Sequence, residues 1–145
     1  ALGRAALLAA REQPDEAPRL RALRDLLAQR LCAGVPDLVV NAAGADRAPH
    51  VLNVSVAGTD SEALLMHLDL AGVAASSGSA CSTGAVEPSH VLVAMGVPHE
   101  LALGAIRFSF GHESTPNDVD RVADVMPGVV AKVRKLAGAL GRAAS

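Results

Sequence analysis

Aromatic side chains are almost missing from this chain: it has no Trp and no Tyr, and Phe108 and Phe110 are its only phenylalanines. Its hydrophobic half is aliphatic, so a core of Leu, Val and Ala in close-packed helices is expected. Basic excess is missing too. The formal charge of −2 and the scattered arginines argue against a nonspecific nucleic-acid binder, which needs a basic face. No apolar run approaches the ~20 residues of a membrane span, and no signal peptide is visible, so a cytoplasmic setting is expected. An alanine at position 1 is compatible with a processed start or with a fragment. Cysteine is scarce: Cys32 and Cys81 cannot make a disulfide framework in a chain of 145 residues. They offer no zinc spacing, and His50, His67, His99 and His112 show no metal-like clustering, so no metal site is expected. Lysine is scarcer still in function, since Lys132 and Lys135 fall on the expected outer side of the last helix.

What is present alternates helical and extended patterning. Leu2–Arg11 has helical spacing, and the Gln-Pro-Asp stretch should end it. Pro14 and Pro18 punctuate a short connection. A second helix is expected over Ala17–Ala33, with Leu20, Leu23, Leu27 and Leu31 along one face, stopped by Gly34-Val35-Pro36. Cys32 follows those leucines, which suggests a buried, inert thiol. Asp37–Asn41 and Val51–Val56 read as strands joined by a Gly44–Pro49 loop. Asp60 or Thr59 should cap a helix to about Ala71, buried through Leu64, Leu65, Leu68 and Leu70 and closed by Gly72. Val73–Ala75 reads as a short strand. Pro88 opens a helix ending at Gly96, and one more helical turn is expected at His99–Leu103. In Ala105–Phe110, Ile106, Phe108 and Phe110 alternate with Arg107 and Ser109, the pattern of a half-buried strand. Thr115-Pro116-Asn117-Asp118 is a capping box for a closing helix lined by Val119, Val122, Met126, Val129, Val130, Val133 and Leu136, ending near Gly138–Gly141. The sum is one α+β domain with a small, mostly antiparallel sheet covered by helices.

Between two patterned stretches lies Ala75–Pro88, Ala-Ser-Ser-Gly-Ser-Ala-Cys-Ser-Thr-Gly-Ala-Val-Glu-Pro. Gly78 and Gly84 open backbone conformations closed to other residues. The hydroxyls of Ser76, Ser77, Ser79, Ser82 and Thr83 compete with regular structure. The stretch reads as an irregular loop presenting one thiol, Cys81, or more blandly as a linker that happens to contain a cysteine.

Ser77-Gly-Ser-Ala-Cys-Ser-Thr-Gly, followed by Glu87-Pro-Ser-His-Val-Leu and Met95-Gly96, resembles the active-site loop of cysteine desulfurases of the class with a long Ser-Gly-Ser-Ala-Cys loop. Flanking blocks match in order: Pro49, Leu52-Asn53-Val54-Ser55, Glu62-Ala63-Leu64-Leu65, Leu68-Asp69-Leu70-Ala71-Gly72, Ile106-Arg107-Phe108-Ser109-Phe110-Gly111 and Ser114-Thr115. The resemblance runs from about Arg19 to the last helix. It implies the carboxy-terminal small domain of a fold-type I pyridoxal-phosphate enzyme, about a third of the whole. It further implies conversion of L-cysteine to L-alanine with a persulfide left on Cys81, in a homodimer that passes the sulfur to an acceptor protein for iron–sulfur cluster assembly or another thiolation pathway. Arg107 matches the family's substrate-carboxylate arginine, which suits bidentate guanidinium–carboxylate pairing; without that match, a surface arginine on an edge strand is the favoured reading. Asn53 falls in the family's Leu-Asn-Val-Ser strand, with a role near the substrate or a structural one. His90 is expected to be a helix-surface residue. His50 and His112 stand where asparagine and arginine are common, and the second change touches the rim of the site.

Neither lysine has the family's Ser-x-His-Lys setting for the cofactor Schiff base, and the phosphate-binding and ring-stacking segments are missing. The chain alone is therefore expected neither to bind pyridoxal phosphate nor to turn over cysteine. Without its larger domain it should expose an apolar face and self-associate. Two further readings stand beside this one: a free-standing sulfur-relay module carrying a persulfide on Cys81, and a small helical protein whose loop has no chemistry.

Overall fold

A computed structural model describes residues 1–77 and 87–143, with side chains through residue 139. The described elements are α1 (Leu2–Gly34), β1 (Leu38–Val40), β2 (Val51–Val56), α2 (Ser61–Leu70), α3 (His90–Ala94), α4 (His99–Leu103), β3 (Ala105–Ser109) and α5 (Pro116–Ala143). The three strands form one antiparallel sheet in the order β1-β2-β3, with β2 in the middle. Its centre is the Leu-Asn-Val-Ser stretch, whose strict alternation gives the sheet two different faces. Leu52, Val54, Val56, Ile106 and Phe108 point to one side and are buried against Leu23, Leu27 and Leu31 of α1, Leu64 and Leu68 of α2, and Val119, Val122, Met126, Val129, Val130 and Val133 of α5. Asn53, Ser55, Ala105 and Arg107 fall on the other side by the same parity. There α3 and α4 cover only part of the sheet through a small cluster of Leu92, Ala102 and Ala105. The rest of that face carries the candidate site.

The ends of the helices follow local rules. Asp60 caps α2, its carboxylate accepting from Ala63 N–H at 2.8 Å. At the other end Gly72, at φ +77°, lets Gly72 N–H reach Asp69 O and Val73 N–H reach Leu68 O. The same closure ends α3 at Gly96, with Val97 N–H on Leu92 O. Thr115 and Asp118 form the expected box, Asp118 Oδ2 accepting from Thr115 N–H at 2.7 Å and from Thr115 Oγ1 at 2.9 Å. Both bonds hold the Asp118 carboxyl below its usual range, the backbone bond most of all.

Several expectations need correction. Pro14 and Pro18 do not separate two helices; α1 runs unbroken through both. Each proline removes one bond to the carbonyl four residues earlier, and four-residue spacing puts both on one exposed side, where water replaces the missing donors. Cys32 is exposed rather than buried, because it lies one helical step off the Leu23–Leu27–Leu31 stripe. Leu70 is 77% exposed, as the last α2 residue before the chain turns away. Leu136 is half exposed, beyond the reach of the sheet. Val73–Ala75 is not a strand: pairing begins only at Ser76. Gly138 and Gly141 do not end α5, since a glycine permits a stop without imposing one.

Candidate functional site

The candidate site is a cleft of about 340 Å³ on the second face of the sheet, lined among others by Asn41, Arg47, Asn53, Ser89, Met95 and Arg107. That volume falls near the lower end of ligand pockets, roughly 300–1,000 Å³, and suits an amino-acid-sized molecule. Arg107 and Asn53 are direct partners in the β2–β3 register, so two predicted site residues stand side by side. Arg107 is exposed, as the burial pattern of β3 requires. Asn53 is fixed from the neighbouring strand. Asn41, at the end of β1 and 6% exposed, donates from Nδ2 to Asn53 Oδ1 at 2.6 Å and to Ser55 Oγ at 2.9 Å. A donor bound to its Oδ1 leaves the Asn53 amide N–H₂ turned to other partners. Ala42 follows at φ +55°, a left-handed conformation costly for a residue with a Cβ, directly beside the cleft it lines.

Ser76 ties the preceding segment to the same place. Its N–H donates to Arg107 O at 3.0 Å, and its carbonyl oxygen accepts in return from Arg107 N–H at 2.7 Å. Arg107 Nη2 also donates to Ser76 Oγ at 3.4 Å. Beyond the segment 78–86 the chain re-enters at Ser89, which is 7% exposed and lines the cleft ahead of α3. Cys81 itself lies outside the described residues. The described chain on both sides of it meets the cleft, through Ser76 bonded to Arg107 and through Ser89 in the lining.

His90 is exposed at the start of α3, as expected. His50 contributes its backbone carbonyl, which accepts from Phe110 N–H at 2.8 Å. His112 sits on the turn after β3, its Nδ1 3.7 Å from Glu16 Oε1. Arg19 organises that turn, donating to Ser114 O, His112 O and Gly111 O while paired with Glu16. The hydrogen bond from Arg19 holds the Glu16 carboxyl below its usual range. Among the described residues no group of three or more His, Cys, Asp and Glu is arranged to hold a metal. A smaller cavity of about 180 Å³ behind β3 meets Asp118 and Arg121, but both are engaged, Asp118 by Thr115 and Arg121 by Ala71 O.

Asn41, Arg47, Ser76 and Ser89 escaped the sequence reading. Asn41 was recoverable from the β1–β2 register once the strands were placed. Arg47 and Ser89 carry no linear signal, because only the packing of a loop and a short helix over the sheet brings them to the cleft.

A family model described as Aminotransferase class-V matches residues 7–122. The chain belongs to the class-V aminotransferase family. Among its relatives, a cysteine desulfurase of Gluconacetobacter diazotrophicus is 50% identical over 135 residues, which are 93% of this chain and 34% of that protein. The protein named cysteine desulfurase IscS in Dictyoglomus turgidum is 41% identical over 135 residues, again 93% and 34%. Among solved structures, a NifS-like protein superposes with a TM-score of 0.68 at 26% identity over 92% of this chain and 31% of that one. A NifS-like protein from Rickettsia africae gives 0.67 at 26% identity, over 78% and 28%. The expected fold class is thus found in solved relatives. The chain spans about a third of the length of the curated relatives it matches. No helix among the described residues is long and apolar enough to cross a membrane.

The family implies pyridoxal phosphate, and the residues present do not fit it. A Schiff base needs a lysine at the site. Lys132 and Lys135 are both exposed on α5, which packs on the opposite face of the sheet from Arg107, and no lysine lines the cleft.

Proposed function

We propose that this chain is the carboxy-terminal, nucleophile-bearing part of a pyridoxal-phosphate-dependent cysteine desulfurase. Arg107 pairs with the carboxylate of L-cysteine, Asn53 offers its amide beside it, and Cys81 takes the sulfur. The net reaction balances without an outside oxidant: L-cysteine and the Cys81 thiol give L-alanine and a Cys81 persulfide. The substrate's C–S bond breaks, an S–S bond forms, and the carbon gains a proton. Cys81 acts as the thiolate in that step. The persulfide then passes to an acceptor protein's thiol. The cofactor and its lysine belong to the part of the relatives this chain does not span, and the complete enzyme is a homodimer.

The observation that supports this reading is that the described chain on both sides of Cys81 meets one cleft, through Ser76 bonded to Arg107 and through Ser89 in the lining. Cys81 lies four positions beyond Ser77, a span of at most about 14 Å of extended chain. The thiol is therefore tethered within reach of Arg107 yet carried on a Gly- and Ser-rich segment suited to meeting a second protein.

The test is alanine formation from L-cysteine by the complete source polypeptide, with and without Cys81→Ala. Loss of alanine and sulfide with an unchanged melting temperature supports the reading. Full turnover by the Cys81→Ala protein refutes it. Cys81-dependent alanine formation by the 145-residue chain alone would refute the division of labour proposed here.

A further inference from the structure

The cleft carries a second guanidinium that the proposed chemistry does not use. Arg47 lines it together with Arg107, and among the lining residues there is no Asp or Glu. Nη1 of Arg47 is closed off from solvent and has no hydrogen-bond partner among the described residues. A buried N–H of a charged group left without an acceptor is among the costlier defects a fold can keep. The fold also holds Arg47 deliberately. Arg24, itself 6% exposed on α1, donates from Nη1 to Ala48 O at 2.9 Å and to Arg47 O at 3.4 Å, and is paired with Asp25 at 2.8 Å. A buried ion is thus used to pin the backbone of the loop from which Arg47 projects.

We infer that Arg47 and Arg107 form a two-arginine anion site, in which a small carboxylate is held by both guanidiniums and Arg24 acts as a positioning residue for Arg47. Two guanidiniums present more N–H donors than one can direct at a carboxylate, and they add their fields in a cleft with no Asp or Glu among its described lining residues. The ligand class is a small carboxylate. For L-cysteine this rests on the reading above, whereas the anion site itself does not.

The test uses malonate as the probe, titrated into the 145-residue chain and followed by calorimetry and by the melting temperature. Malonate is expected to bind and to raise the melting temperature. Arg47→Gln should weaken binding at least tenfold while leaving the melting temperature in malonate-free buffer unchanged or higher, since it removes a buried N–H that has no acceptor among the described residues. Arg24→Gln should weaken binding as well, with Arg24→Lys restoring part of it. Unchanged malonate affinity in Arg47→Gln overturns the inference, even where Arg107→Gln abolishes binding and so upholds the carboxylate role of Arg107. Loss in Arg47→Gln with none in Arg107→Gln upholds an anion site at Arg47 alone, and overturns both the shared site and the substrate role of Arg107. A fall in melting temperature of Arg47→Gln in malonate-free buffer would show a purely structural arginine and also overturns it.

Discussion

Arg107 reaches the cleft through a single parity. In β3 its neighbours Ile106 and Phe108 are buried in the main core, so the residue between them must face the other way. That much is legible in Ile-Arg-Phe-Ser-Phe. What the linear pattern does not contain is the partner: Asn53 lies opposite only because β2 and β3 pair in this register, and Asn41 orients it only because β1 pairs on the far side. Two expectations belong at this scale. In the complete source polypeptide, Arg107→Lys should lower kcat/KM for L-cysteine by about 10- to 100-fold, the equivalent of roughly 1.5–3 kcal/mol for a hydrogen bond to a charged group. Equal kcat/KM would mean that the guanidinium does not hold the carboxylate. Asn41→Ala strands Asn53 Oδ1 and takes a donor from Ser55 Oγ, both beside the core, and should cost about 1–3 kcal/mol in urea unfolding. A neutral result would remove Asn41 as the residue that orients Asn53.

Elements were read more reliably at their ends than along their lengths. Asp60, Gly72, Gly96 and the Thr115–Asp118 box each stop or start a helix where the sequence places them, because capping is local chemistry. The fates of Pro14, Pro18 and Cys32 depend instead on which side of α1 meets the sheet, and that is a tertiary matter. Residues 1–15 of α1 are all exposed, while Leu23, Leu27 and Leu31 anchor its second half. An unpacked helical stretch of that length is marginal in water. Amide exchange should therefore be fast up to Pro14 and slow from Leu23 onward; uniform protection would show that propensity alone sustains the first half. Gly104 separates α4 from β3 with Val56 O and Thr59 Oγ1 closed around its Cα, so a Cβ there collides with both. Gly104→Ala should destabilise by about 1–3 kcal/mol, read as a lower melting temperature. The Asp118 cap adds a pH dependence of known sign. Its carboxyl is held below the unfolded value of about 3.9, so its contribution is complete above that pH and is lost as pH falls through the lower native value. Asp118→Asn should flatten the acid limb of the melting curve and leave neutral-pH behaviour with a smaller change than a core substitution gives.

At the scale of the whole molecule, the aliphatic composition foretold the helical cover of the sheet, and the ordered motif blocks foretold the family. Among the described residues the sheet is three strands wide, and α3 and α4 cover part of one of its faces. Val91 and Met95, which line the cleft, and Val93 between them in the sequence are about half exposed. The central claim is that Cys81 receives sulfur at the cleft of Arg107 and Asn53. It is tested most directly by incubating the complete source polypeptide with L-cysteine and reading the peptide that contains Cys81 by mass spectrometry. The account predicts the mass of one added sulfur atom on Cys81, removed by reductant and missing in Arg107→Gln. Turnover with an unmodified Cys81, or with the added sulfur on Cys32, would contradict it.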